Sequence, residues 1–205
     1  VKQESFYDTQ RRPVLSSAGY HQGNYTYKDG KKATETFVDT EGNPVNPSSK
    51  KAVTTEYAYD KNGRITQETY LGAQGERMLT ENGYAIVRRE YDAEGNLTLE
   101  SYFDTNAEPV LSDKGYASVA RTYQSRRIVR EAYFDTKGSP METGNRVALM
   151  TRTYNANGGV TSEAYFDASG NPVLHATNGY ASIRRTYNAD RKIATESYFG
   201  EDGAP

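Results

Sequence analysis

The chain reads as an all-β protein: an elongated tandem array of stacked β-hairpins, of the repeat or solenoid-like kind, with a unit of about 32 residues. Three observations predict this. An anchor glutamate recurs seven times, as Glu4, Glu35, Glu68, Glu100, Glu131, Glu163 and Glu196, in steps of 31, 33, 32, 31, 32 and 33 residues. The segments between turns are short, alternate in polarity and are rich in Tyr, Phe, Thr, Val and Ile, which is the pattern of strands and not of helices. The hydrophobic content of 35% falls well below the roughly 45–50% of ordinary globular domains, so any core must be thin.

Each element of the unit follows from its residues. The Glu is followed by a small residue and two aromatic or apolar ones, as in Glu100-Ser101-Tyr102-Phe103-Asp104 and Glu163-Ala164-Tyr165-Phe166-Asp167. A turn of the form Asp-x-x-Gly-x-Pro-Val comes next, clearest from Asp167 to Val173, and several copies continue to Gly-Tyr-Ala, as at Gly179-Tyr180-Ala181. Pro44, Pro109, Pro140 and Pro172 withhold a ladder donor, so the segment after each is expected at an edge or leaving the sheet. The second strand ends in Tyr27, Tyr59, Tyr91, Tyr123, Tyr154 or Tyr187. In Tyr59-Asp60-Lys61-Asn62-Gly63-Arg64-Ile65 the Asp can bond its downstream backbone while the Gly takes positive φ, so the chain must reverse there. Two or three strands per unit are expected. All 18 Tyr and 6 Phe fall in these slots or at Tyr25 and Tyr57.

The steps group into two blocks of 96 residues. Tyr20, Tyr84, Tyr116 and Tyr180 fill the Gly-Tyr slot, while Lys51 and Val147 replace it in the middle unit of each block. Units run approximately 4–34, 35–67, 68–99, 100–130, 131–162 and 163–195, with a partial seventh at 196–205; residues 1–205 form a single array, expected to be part of a longer protein. Period two puts Ala181, Ile183, Arg185 and Tyr187 on one face, expected to be the packed one, with Ile193, Ser197 and Phe199 joining it across the hairpin. Tyr180, Arg184, Glu196 and Tyr198 then take the other. A lone hairpin is marginal in water, so units must stack on their neighbours.

Several function classes are disfavoured. Net charge is −2, with 25 basic and 27 acidic residues interspersed, which is not the footprint of a nucleic-acid binder. No apolar run approaches the length of a membrane-spanning helix, so direct membrane insertion is not expected. There is no Cys, and the only histidines, His21 and His175, lie far apart beside Gly-Tyr slots, so no catalytic constellation is expected. One carboxylate per Asp-x-x-Gly turn is far short of the roughly 6–8 oxygens of a Ca²⁺ site, and no cofactor is implied. The recurrent Glu is expected to pair with Arg89, Arg121, Arg152 and Arg185. Since that Arg slot holds Tyr25 and Tyr57 in the first two units, an Arg/Tyr cation–π ladder is a further expectation. The candidate ligand-binding residues are Tyr20, Tyr84, Tyr116 and Tyr180, with Tyr102, Tyr165, Tyr198, Arg89, Arg121 and Arg185. Tyrosine suits recognition through its flat ring and hydroxyl.

The hairpins Tyr59-Asp60-Lys61-Asn62-Gly63-Arg64-Ile65-Thr66 and Tyr91-Asp92-Ala93-Glu94-Gly95-Asn96-Leu97-Thr98 resemble the YD repeats of Rhs-type bacterial surface and toxin proteins. The Tyr-Phe-Asp-x-x-Gly-x-Pro turn is similar to the aromatic-Asp-Gly hairpins of Gram-positive cell-wall-binding and clostridial-toxin repeats. Both resemblances imply an extracellular bacterial hairpin array at the cell surface, with recognition or encapsulation as its role. The expected function is a non-catalytic module binding a glycan or cell-wall polymer multivalently through tyrosine-lined surfaces. The alternatives are a structural stalk or Rhs-like shell segment without ligand, and a protein-binding adhesin module.

Overall fold

The computed structural model describes residues 2–205, and among them there is no helix. Residues fall into two compact units, Val1–Arg89 with Tyr102–Pro109 and Glu90–Ser101 with Val110–Pro205, a division close to that between the two sequence blocks. The first contains β1 (Lys2–Ser5), β2 (Gln22–Lys28), β3 (Lys31–Val38), β4 (Thr54–Tyr59), β5 (Ile65–Leu71) and most of β6 (Ile86–Tyr91). The second contains most of β7 (Leu97–Phe103), then β8 (Ser118–Gln124), β9 (Arg127–Phe134), β10 (Leu149–Tyr154), β11 (Val160–Phe166), β12 (Ser182–Tyr187) and β13 (Ile193–Phe199). Within each unit every strand pairs antiparallel with its neighbour in the chain, two strands to a repeat.

The hairpin turns are made as their sequences require. Asp60 Oδ1 accepts the backbone N–H of Asn62 at 2.8 Å and of Arg64 at 2.9 Å, its Oδ2 takes the Arg64 Nε at 2.6 Å, and Gly63 sits at φ 86°. These amide bonds hold the Asp60 carboxyl below its ordinary pKa. A one-residue bulge precedes the strand-end tyrosine in five hairpins, between Thr26 and Tyr27, Ala58 and Tyr59, Thr122 and Tyr123, Thr153 and Tyr154, and Thr186 and Tyr187. After each Asp-x-x-Gly turn the proline makes only an isolated bridge, as Phe134 to Pro140 and Phe166 to Pro172, and the chain leaves the ladder there.

That departing segment folds over one face of the sheet. Val173 N–H donates to Tyr165 O at 3.1 Å, and Val173, 5% exposed, packs with Val147, Met150 and Tyr165. One expectation is corrected. The register pairs Ile183 with Tyr198 and Arg185 with Glu196, so Tyr198 and Glu196 share the packed face with Ile183 and Arg185, while Ser197 and Phe199 lie on the other. The expected face holds for β12 and is off by one residue for Ser197 and Phe199 of β13, because the bulge beside Tyr187 adds a residue that polarity alternation alone does not reveal.

Candidate functional site: the glutamate and tyrosine row

The Glu strands β3, β5, β7, β9 and β11 each present their anchor to a Thr, Val, Met or Ile of the following strand: Glu35 to Thr55, Glu68 to Val87, Glu100 to Val119, Glu131 to Met150 and Glu163 to Ile183. A carboxylate so placed loses water and must be compensated by donors. Arg121 and Arg152 stand opposite Glu131 and Glu163 in the same hairpins and donate through Nε, the first at 2.6 Å. Arg185 does so to Glu196 at 2.5 Å. Glu68 instead accepts a bond from Arg89 Nη1 of the next hairpin at 2.7 Å. Glu35, 2% exposed, is held by Lys32 at 2.7 Å, Lys50 at 3.1 Å and the Tyr57 hydroxyl at 2.8 Å.

A second donor comes from two residues along the same strand. The hydroxyls of Tyr70 and Tyr133 donate to Glu68 and Glu131 at 2.5 Å, and those of Tyr165 and Tyr198 donate to Glu163 and Glu196. Burial, followed by this bond to a carboxylate, raises the pKa of Tyr70, Tyr133 and Tyr165. Burial works to raise the Glu35 pKa too, but the bonds from Lys32, Tyr57 and Lys50 outweigh it and hold the carboxyl below its ordinary value. Burial lowers and the glutamate bond raises the Arg121 and Arg152 pKa, with a net rise.

The expected Arg/Tyr cation–π ladder is therefore corrected: Arg121, Arg152 and Arg185 direct Nε to a carboxylate in the facing strand. The slot shared by Arg and Tyr is a donor slot, since Tyr57 and Arg89 both reach back to the Glu of the preceding hairpin. The cation–π contacts that do form use other cations: Lys32 lies 5.3 Å from the centroids of both Tyr25 and Tyr57, and on the second face Arg88 is 4.3 Å from the Phe103 centroid and Arg184 4.9 Å from that of Phe199.

Rings of the Gly-Tyr slot lie between the rings that follow Glu. Tyr20 is 5.4 Å from Phe6 and 4.7 Å from Phe37, Tyr84 is 6.0 Å from Tyr70 and 4.7 Å from Tyr102, and Tyr180 is 6.0 Å from Tyr165 and 5.0 Å from Tyr198. Tyr116 packs on Tyr133 at 4.9 Å. The two exceptions fill the same place by other means. Lys51 sets its ammonium over Tyr70 and Tyr84 and donates to the Tyr84 hydroxyl at 2.8 Å, and Val147 is buried with Tyr133 and Tyr165 beside it.

No protein-family model matches the chain, and no curated protein sequence matches it. Among solved structures it is similar to a chain of the Photorhabdus luminescens Tc holotoxin pore, at 14% identity and TM-score 0.44, over 95% of this chain and 12% of that one. It is also similar to a chain of the TcdB2–TccC3–Cdc42 complex, at 12% identity and TM-score 0.20, over 98% of this chain and 14% of that one. The chain thus spans a small part of the length of either.

The ten candidate residues all lie on the packed face, which brings them together as one row in each unit. Tyr84, Tyr102, Tyr116 and Tyr165 are 2–6% exposed; Tyr20 and Tyr180 are half-buried; Tyr198, on β13, is 47% exposed. The strand-end tyrosines are legible in the sequence as recurrent positions, but what they hold is not. The hydroxyls of Tyr123, Tyr154 and Tyr187 donate to the backbone carbonyls of Leu97, Ile128 and Val160 at 3.0, 2.7 and 2.8 Å, clamping each hairpin to the one before. Their presence in every hairpin was the available signal. Both histidines serve local backbone: His21 Nδ1 lies 3.3 Å from Val14 O, and His175 Nδ1 accepts the N–H groups of Thr177 and Asn178 at 3.2 Å.

Proposed function

We propose that the chain is a non-catalytic structural module, a segment of wall or stalk in which the glutamate and tyrosine row joins hairpin to hairpin and takes no diffusible ligand. The burial of the ring row carries this reading. Tyr84, Tyr102, Tyr116 and Tyr165 are 2–6% exposed, so a ligand could reach their rings only by displacing the residues packed against them. Each of those residues already has a packing role or a hydroxyl partner, and the Lys51 and Val147 exceptions are explained by the same packing. An extracellular bacterial setting, as one part of a longer chain, belongs to the same reading and rests on the YD-type hairpins Tyr59–Thr66 and Tyr91–Thr98.

The second reading is multivalent binding of a glycan or cell-wall polymer, supported by Tyr20, Tyr180 and Tyr198, whose rings keep part of their surface open. Titration calorimetry with soluble peptidoglycan fragments and anionic wall polymers at millimolar concentration separates the two. The structural reading expects no saturable heat. Saturable binding that disappears in a folded Tyr198→Ala variant would replace it with the glycan reading.

A further inference from the structure

Two neighbouring grooves lie in the unit formed by Glu90–Ser101 and Val110–Pro205, beside the phenylalanines that follow the row's tyrosines. The first, about 240 Å³, is walled by Phe134, Pro140, Leu149 and the turn from Asp167 to Gly170. The second, about 170 Å³, repeats it one unit later with Phe166, Pro172, Ser182 and the turn around Gly200 and Gly203. Phe134 and Phe166 belong to β9 and β11, two strands apart, so the grooves recur every ~9.6 Å at ~4.8 Å per strand.

Among the described residues neither of these two rings carries a cationic cap. Phe103 and Phe199 are each covered by a guanidinium, from Arg88 and Arg184. In β12 and β13 that Arg stands two residues after Ser182, which pairs with Phe199. The same position relative to Phe134 holds Ala120, and relative to Phe166 it holds Thr151, neither of which can cap a ring.

We propose that these grooves dock a proline-rich peptide in the polyproline II conformation, lying across the strands. Such a peptide advances ~9.3 Å per three residues, within a few tenths of an ångström of the groove spacing. It meets aromatic-lined clefts with preformed ring faces and little loss of chain entropy. The ring and proline of each groove, Phe134 with Pro140 and Phe166 with Pro172, suit this occupant. Arg130, Tyr133 and Ser169 complete the first lining and Ser182 and Glu201 the second, while the Asp167 carboxylate is already taken by the N–H groups of Ser169 and Asn171 and by the Asn171 amide.

Fluorescence anisotropy of the whole chain with labelled (Pro-Pro-Ala)4 and (Pro-Pro-Ala-Ala)3 tests the match, since the second keeps the conformation but moves the repeat to ~12.4 Å. The three-residue repeat should bind saturably and about tenfold more tightly than the four-residue one. Ala120→Arg and Thr151→Arg, which copy the caps of Phe103 and Phe199, should abolish binding while the melting midpoint is kept. Amide shifts in two-dimensional NMR should cluster at Phe134, Leu149 and Phe166, a readout that needs no variant. The proposal is overturned if neither peptide binds at millimolar concentration, if both bind alike, or if the capped variants bind as the parent does. It is equally overturned if chitotetraose shifts these amides and the peptide does not.

Discussion

Replacing Glu35 by Gln should be the costliest single-atom change in the glutamate row, and Glu196→Gln one of the mildest. Glu35 is 2% exposed, and its carboxylate gathers Lys32, Lys50 and the Tyr57 hydroxyl within 3.2 Å. An amide of the same shape can still accept from Tyr57, but two ammonium groups lose their counter-charge. Breaking a buried pair from one side costs ~3–5 kcal/mol. The Lys32 and Lys50 side chains are 34% and 33% exposed, so they can swing toward water. That lowers the expected loss to about 2–3 kcal/mol. At roughly 2–4 °C per kcal/mol for a chain of this size, the midpoint should fall by about 5–10 °C in a far-UV circular dichroism melt. Glu196 lies on β13 with its side chain 28% exposed, so water can replace what Arg185 and Tyr198 supply, and its midpoint should stay within error. Equal shifts for the two variants, or none for Glu35→Gln, would refute the claim that burial sets the worth of these ion pairs.

Other consequences follow from the same geometry. Tyr84→Ala removes a ring packed between Tyr70 and Tyr102 and should cost about 3–5 kcal/mol by chemical denaturation, whereas Tyr84→Phe loses only the Lys51 bond, ~1 kcal/mol. Folded-state pKa values of Glu35, Asp60 and Asp167 are depressed, so their stabilising contribution is complete above the unfolded values near 4–4.5. It is lost as pH falls through the lower folded values, and urea midpoints should be level above pH ~5 and decline steadily below ~4. At the alkaline end the shifts of the buried tyrosines run upward, with Tyr20 pushed up to about 12 by burial and its bond to Glu4. Stability present below pH 10 should therefore drain as pH rises past it, and the phenolate absorbance contributed by Tyr57, Tyr70, Tyr133 and Tyr165 should appear cooperatively with unfolding; a phenolate titration with no cooperative component would contradict this. Ala107 occupies the glycine slot of its turn at φ 68°, so Ala107→Gly should raise stability by about 0.5–1 kcal/mol in a melt, unlike the same change at an ordinary strand position.

How far the row could be read in advance depended on which residue was asked. The Glu recurrence and the Arg two places before the strand-end Tyr were visible as spacings, and their pairing needed only that the two strands face each other. What the rings do was not visible. Tyr116 and Val147 occupy one slot with unlike side chains, a pattern that looks like freedom from packing in a sequence and is alternative packing in three dimensions. Lys51 is the sharpest case: it is exposed, as a lysine among tyrosines suggests, yet its ammonium lies over two rings.

The sequence by itself determined the repeat, the two-strand hairpin and its turns, because these depend on residues close in the chain: an Asp bonding its own downstream amides, a Gly or its stand-in at positive φ, and an apolar period of two. Only the tertiary structure decided which face is packed and which tyrosines are out of reach. The cause is local and small. One bulge residue beside the strand-end Tyr, in five of the hairpins, shifts the facing strand by one position, and in a sheet one position moves every following side chain, Glu196 and Tyr198 among them, to the opposite face.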